Sequence, residues 1–107
     1  MIVTTTESLP GKHLVEIKGL VRGSTVRAAH AGEDLVSVLK NVLGGEVEEY
    51  TRLLAQAREQ AIDRMTAVAE ELGADAVVGV RFATAGIMAG AAEVLAYGTA
   101  VVIAEAQ

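Results

Sequence analysis

The chain has 107 residues, of which 51% are hydrophobic and only 3% aromatic, with a net charge of −5 and no cysteine. That length holds a single domain over residues 1–107, since domains run to roughly 100 to 150 residues, and the acidic balance with so few rings weighs against a nucleic-acid partner, which wants a basic face and stacking side chains. Without cysteine there is no disulfide, thiolate metal site or cysteine nucleophile, which fits a reducing, cytoplasmic setting, and the start Met1-Ile2-Val3-Thr4-Thr5-Thr6 lacks the basic residues and apolar run of a signal peptide.

In chain order, Ile2 and Val3 beside Thr4, Thr5 and Thr6 predict a short first strand, and Leu9-Pro10-Gly11-Lys12, with the only proline, a turn. From His13 the pattern alternates. Val15, Ile17, Gly19 and Val21 are expected on one face of a second strand, with Leu14, Glu16, Lys18, Leu20 and Arg22 on the other. Gly23-Ser24 is expected to bulge or bend, after which Thr25, Val26 and Arg27 continue extended. Between Gly32 and Gly44-Gly45, residues Leu35, Val38, Leu39 and Val42 follow helical spacing behind Asp34.

The longest element follows. From Glu46 to Leu72 the residues Val47, Tyr50, Leu54, Ala57, Ala61, Met65, Val68 and Leu72 recur every three or four positions, one stripe of a helix. Glu46, Glu48 and Glu49 suit the positive end of its dipole, and Gly73 is placed to cap its C-terminus. Ala76, Val78, Val80 and Phe82 then alternate with Asp75, Val77, Gly79 and Arg81 as a third strand, with 84–90 as the expected connection. In the last strand Ala96, Gly98, Ala100 and Val102 share a small face that admits a helix closely. Glu93, Leu95, Tyr97, Thr99, Val101 and Ile103 share a larger face that needs its own cover.

The stretch 82–104 carries Glu93 as its only charge and is long enough to span a bilayer. A central carboxylate costs a few kcal/mol there, so two strands and a turn explain it better, and no membrane association is expected. A helix about 10 to 12 Å across covers roughly two strands about 4.8 Å apart. One long helix therefore cannot shield both faces of a four-stranded sheet, and the leftover apolar surface predicts another copy as partner.

Several segments together resemble the YbjQ-like family of small bacterial and archaeal proteins. They are Gly19-Leu20-Val21-Arg22-Gly23-Ser24-Thr25-Val26-Arg27-Ala28, the Gly44-Gly45-Glu46 to Glu49-Tyr50 junction, Ala57-Arg58 with Arg64-Met65, the run 72–82 from Leu72 to Phe82, and the run 93–101 from Glu93 to Val101. The resemblance spans essentially the whole chain. It implies an α+β subunit of order β-β-α-β-β with a dodecin-like core, the long helix packed on an antiparallel sheet, assembled as a ring-forming homo-oligomer, a pentamer. It also brings a heavy-metal-binding label, with a metal ion as the implied cofactor. The residues speak weakly for that label: there is no cysteine, only His13 and His30, far apart in sequence, and three methionines including the first. A flavin site by analogy with dodecin would need a stacking ring, and the chain has no tryptophan, one phenylalanine and two tyrosines.

The candidate polar site is drawn from Arg22, Arg27, Arg58, Arg81, Glu93 and Tyr97, several of them charges on otherwise apolar strands, which pair or line interfaces. Two readings compete for them: intersubunit ion pairs, and a pocket between subunits in which Arg22, Arg27 or Arg81 holds a small anion. Adjacent acids such as Glu48-Glu49 and Glu70-Glu71 point about 100° apart on a helix and share no site. Ser8, Ser24 and Ser37 lack a nucleophile context, and the glycine-rich pieces 44–46 and 86–90 match no phosphate loop. An enzyme would need Glu93, Tyr97 and Arg81 brought together across a subunit boundary. The sequence therefore reads as a binding or scaffold protein, with a ligand-free structural oligomer and an enzyme as alternatives.

Overall fold

Runs of Val, Ile, Thr and Ala with turn residues between them pair into one sheet, and the alanine-rich segment between the second and third of them coils onto one of its faces. The computed structural model describes residues 1–28, 47–88 and 90–106, and the side chains of 47–50 lie outside that description. Its elements are β1 (Ile2–Val3), β2 (Lys12–Ala28), α1 (Val47–Glu71), β3 (Ala76–Met88) and β4 (Ala91–Glu105). The expected helix over 32–44, His30, Glu46 and the side chains of Val47, Glu48, Glu49 and Tyr50 fall outside the described residues.

The sheet order is β1-β3-β4-β2. β4 pairs antiparallel with β2 and β3, whereas β1 runs parallel to β3. The sheet is thus mixed, which corrects the antiparallel sheet that the family resemblance implied; β2 and α1 together form the long crossover that a parallel pair requires. The turn into β2 forms as expected. The Lys12 amide donates to the Leu9 carbonyl at 3.1 Å, Pro10 sets the first corner, and Gly11 takes the second with φ 75°, the geometry of a type II turn.

Three bulges correct the expected faces. In β2, Val15 and Lys18 are extra residues, between Leu14 and Glu16 and between Ile17 and Gly19, so Leu14, Ile17 and Leu20 fall on one face and Gly19 and Val21 on the other. In β3, Gly79 at φ 63° sits in a third shift between Val78 and Arg81. Ala76 and Val78 therefore face one side with Arg81, while Val77, Val80 and Phe82 face the helix side. No shift occurs at Gly23-Ser24, which pair regularly with Ala96 and Leu95. The expected loop over 84–90 is strand as far as Met88, because the ladder to β4 continues through Thr84↔Val94 and Gly86↔Ala92; pairing with a partner overrides the weak strand propensity of Ala and Gly. The apolar stretch 82–104 is accordingly strand, turn and strand, and no described helix is long and apolar enough to cross a membrane.

Ala57, Ala61, Met65 and Ala69 form the fully buried stripe of α1. The stripe bends through Ala69, leaving Val68 and Leu72, which the spacing had placed on it, 39% and 42% exposed. The helix ends as expected at Gly73, φ 78°: the Ala74 amide donates to Ala69 O at 3.1 Å and the Gly73 amide to Glu70 O at 3.0 Å, a Schellman cap. Its stripe lies mainly over β2 and β4. Gly23 permits this, since a Cβ there would come within 2.3 Å of Met65 N and 2.4 Å of Ala61 O. The core it closes contains Val21, Val77, Val80, Val94, Ala96 and Ala100, and the largest fully buried side chains among the described residues are Met65 and four valines, Val21, Val77, Val94 and Val101.

Candidate functional site

The face of the sheet away from α1 is where sequence and register put unusual residues together. At one end Ala76, Val78 and Val101 are buried with help from Leu9 and Ile103. Beyond them the face is open. Leu14 (41%), Ile17 (68%), Leu20 (68%) and Val26 (57%) are exposed along β2, and the two β2 bulges are what align the first three.

Across the middle of this face runs a row of three candidates. Arg22 pairs with Tyr97 from one side and Arg81 pairs with it from the other. Directly opposed residues hold their Cβ atoms about 4.5 to 5.5 Å apart, so Arg22 and Arg81 stand on either side of Tyr97 in one row of the face. Arg81 is anchored: its Nη1 donates to Thr5 O at 2.9 Å and to Val80 O at 2.8 Å. The bulge at Gly79 creates this row, because an unbroken ladder would turn Arg81 to the helix side. Among the described residues the salt bridges are Lys12–Glu105 and Lys18–Glu16, neither of which touches the row.

Glu93 shares the face, opposite Val26 and Ala85. It stands four residues from Tyr97 on β4, about 13 Å along the strand at 3.3 Å per residue. Within one subunit, therefore, Glu93 does not join Tyr97 and Arg81 in an acid–base set. Arg27 is on the other side altogether: its Nη2 donates to Gln60 Oε1 of α1 at 2.9 Å, and Thr25 Oγ1 donates to the same oxygen at 2.7 Å. Arg58 is exposed on α1. The six candidates thus divide into a row of three, a distant Glu93, and two arginines elsewhere. The sequence missed the polar knot of Thr25, Arg27 and Gln60; its one signal is a glutamine and a threonine set at buried-face positions.

Two further side-chain bonds tie the helix to β2 and the start of β3 to β4. Arg64 Nη1 donates to Ser24 O at 2.6 Å, and Asp75 Oδ2 accepts from the Ile103 amide at 3.1 Å.

The chain matches, over residues 1–104, the model of a family described as "Putative heavy-metal-binding". It is 55% identical over 103 residues to a UPF0145 protein of Thermococcus kodakarensis, covering 96% of this chain and 91% of that one. It is 58% identical over 101 residues to a UPF0145 protein of Archaeoglobus fulgidus, covering 94% of each, and 52% identical over 106 residues to one from Clostridium perfringens, covering 99% and 100%. In three dimensions it resembles a DUF74-family protein of unknown function from Pediococcus pentosaceus, with TM-score 0.63, 18% identity and coverage of 97% and 98%. That likeness concerns the fold alone.

The described residues form no heavy-metal site within one subunit. Among those described, no three side chains of His, Cys, Asp or Glu come together, no cysteine exists to supply a soft ligand, and the row at the centre of the open face is cationic. His13 is exposed at the start of β2, and His30 lies outside the described residues.

Proposed function

Since this chain belongs to the YbjQ-like family of UPF0145 proteins, we propose that it acts as a homo-oligomeric binding or scaffold protein, a ring of five subunits that holds a small anion between subunits. The observation that carries the reading is the uncovered sheet face, with Ile17 and Leu20 each 68% exposed beside Leu14 and Val26. Contiguous apolar surface of this kind marks an interface.

Two further features support assembly. The Cα radius of gyration is 17.5 Å, with extents of 60 × 22 × 16 Å, against about 13 Å for a compact chain of this length. The outer edge of β3 beyond Val80 has no strand beside it among the described residues, and Phe82, Ile87 and Met88 are exposed there at 44%, 51% and 70%. An open edge of that length invites pairing with another chain. The anion follows from the row: if the open face is buried between copies, Arg22 and Arg81 carry two positive charges into the contact, and buried charge requires a counter-charge. An oxyanion on the Arg22–Tyr97–Arg81 row supplies it.

Native mass spectrometry of protein purified without added metal tests the reading. A ring of identical subunits with a small anionic mass per interface is expected; a bare ring would leave a structural oligomer without ligand, and a monomer at micromolar concentration would overturn the assembly on which the reading rests.

A further inference from the structure

The open face is uneven. The ladders set Leu14, Ile17 and Leu20 of β2 beside Ile103, Val101 and Thr99 of β4, and Ala76 and Val78 of β3 beside Val101 and Thr99 on the other side. Ala76, Val78 and Val101 are buried at 0%, 5% and 0%, with Leu9 and Ile103 packed against them, whereas Ile17 and Leu20 are 68% exposed and Leu14 is 41% exposed. What stays uncovered in these rows is a ledge one strand wide, with the covered part of β3 and β4 along one side. A ledge about 4.8 Å wide is too narrow for a helix of about 10 to 12 Å. It suits a single methylene chain, whose carbons touch their neighbours at about 3.5 to 4.0 Å.

One end of the ledge is cationic. Leu20 and Arg22 pair with Thr99 and Tyr97 without a bulge between them, so the row of Arg22, Tyr97 and Arg81 closes that end. Neither arginine is salt-bridged among the described residues, and the carbonyls that hold Arg81, Thr5 O and Val80 O, bring no counter-charge. Past the row, the next positions on the face are Ser24 beside Leu95 and then Glu93 beside Val26, where an acidic group stands. A carboxylate on the row therefore meets two guanidinium groups, and a tail attached to it has uninterrupted apolar surface in one direction, toward Leu20. A compact oxyanion would leave the ledge bare, and a cationic amphiphile would meet two arginines. From Tyr97 to Ile103 the strand rises about 20 Å at about 3.3 Å per residue. An extended alkyl chain of about 15 carbons spans that length, its bonds of about 1.5 Å projecting to about 1.3 Å each.

Building on the reading of the Arg22–Tyr97–Arg81 row as an anion site, we propose that the anion it holds is the carboxylate of an unbranched long-chain acid, with its alkyl tail laid along Leu20, Ile17 and Leu14. In the ring the neighbouring copy closes over the tail.

The test is calorimetric titration of the full chain, stripped of lipid, with acetate, octanoate, dodecanoate and dodecyltrimethylammonium below their micelle-forming concentrations, with light scattering on the same samples to report assembly. Dodecanoate should bind once per subunit and about tenfold or more tighter than octanoate, because only the longer tail reaches Ile17, about 13 Å from the row. Acetate and dodecyltrimethylammonium should each be at least about tenfold weaker than dodecanoate. Ile17→Ser should weaken dodecanoate about fivefold or more and leave octanoate unchanged, whereas Arg22→Gln, at an exposed position, should weaken both about tenfold. Acetate binding as tightly as dodecanoate would overturn the tail and sustain the anion site; binding of no carboxylate would overturn both. Dodecyltrimethylammonium as tight as dodecanoate, an Ile17→Ser protein that binds dodecanoate like wild type, or binding to phosphatidylglycerol vesicles without saturable binding of dodecanoate would each overturn the proposal. A monomer that binds dodecanoate in the expected pattern would sustain the tail site and overturn the ring.

Discussion

Replacing Gly23 by alanine tests how α1 meets the sheet. The new Cβ would lie 2.3 Å from Met65 N, 2.4 Å from Ala61 O and 2.8 Å from Arg64 Cβ, whereas ordinary contact begins at 3.4 Å. Two of those atoms are helix backbone and cannot rotate aside. The helix must therefore withdraw by about 1 Å, and a gap of 0.5 to 1 Å already forfeits about a quarter to a half of each dispersion contact. Ala57, Ala61, Met65 and Ala69 all depend on that approach. With overpacking itself costing about 1 to 3 kcal/mol, the loss should sit near 3 kcal/mol, or a fall in Tm of about 12 to 24 °C at about 4 to 8 °C per kcal/mol. Urea and thermal unfolding at one fixed protein concentration measure it. Gly86→Ala is the control, because its Cβ meets nothing within 4 Å, and it should stay within about 0.5 kcal/mol of wild type. A Gly23→Ala protein as stable as that control would refute the reasoning.

Other predictions follow from single contacts. Gly73→Ala forces a side chain into φ 78° and should cost about 1 to 2 kcal/mol, with faster hydrogen exchange at the Gly73 and Ala74 amides; unchanged exchange would contradict the cap. Ile17→Glu with Leu20→Glu puts two charges per copy where the proposed interface lies, and removes about 1 to 2 kcal/mol of burial at each site; light scattering behind size exclusion should show smaller species, and an unchanged mass would move the interface elsewhere. Thr25→Val deletes one of two donors to Gln60 Oε1 and should destabilise by about 1 kcal/mol, read from the denaturant midpoint.

Much of the architecture was written in local chemistry. Pro10 fixes its own φ, and Gly11 and Gly73 take the positive φ that other residues resist, so the turn and the cap could be placed to the residue. The small and large faces of β4 were also legible, because that strand alternates through its whole length: Ala96, Gly98 and Ala100 against Leu95, Tyr97 and Thr99. β2 and β3 misled for one reason. Alternation assigns faces only while the ladder is unbroken, and the extra residues at Val15, Lys18 and Gly79 each invert the phase downstream. Gly19 and Gly79, at φ 126° and 63°, were the available signals. The grouping of Arg22, Tyr97 and Arg81 was hidden because it depends on that third inversion, and the Thr25–Arg27–Gln60 knot because residues 25 and 60 meet only through tertiary packing. β1 paired in parallel with β3 for a similar reason: nothing in two residues records the direction of a strand 70 positions away.

The core has a thermodynamic consequence. Among the described residues one methionine and a handful of valines are its largest fully enclosed side chains, where an ordinary domain would spend phenylalanine, leucine and tryptophan, so closing this part of the core contributes little to an isolated subunit. In the assembly proposed above, folding and association become one equilibrium governed by mass action: on that proposal, diluting the protein should lower its melting temperature, and each tenfold dilution should bring the same further decrement until the assembly no longer forms.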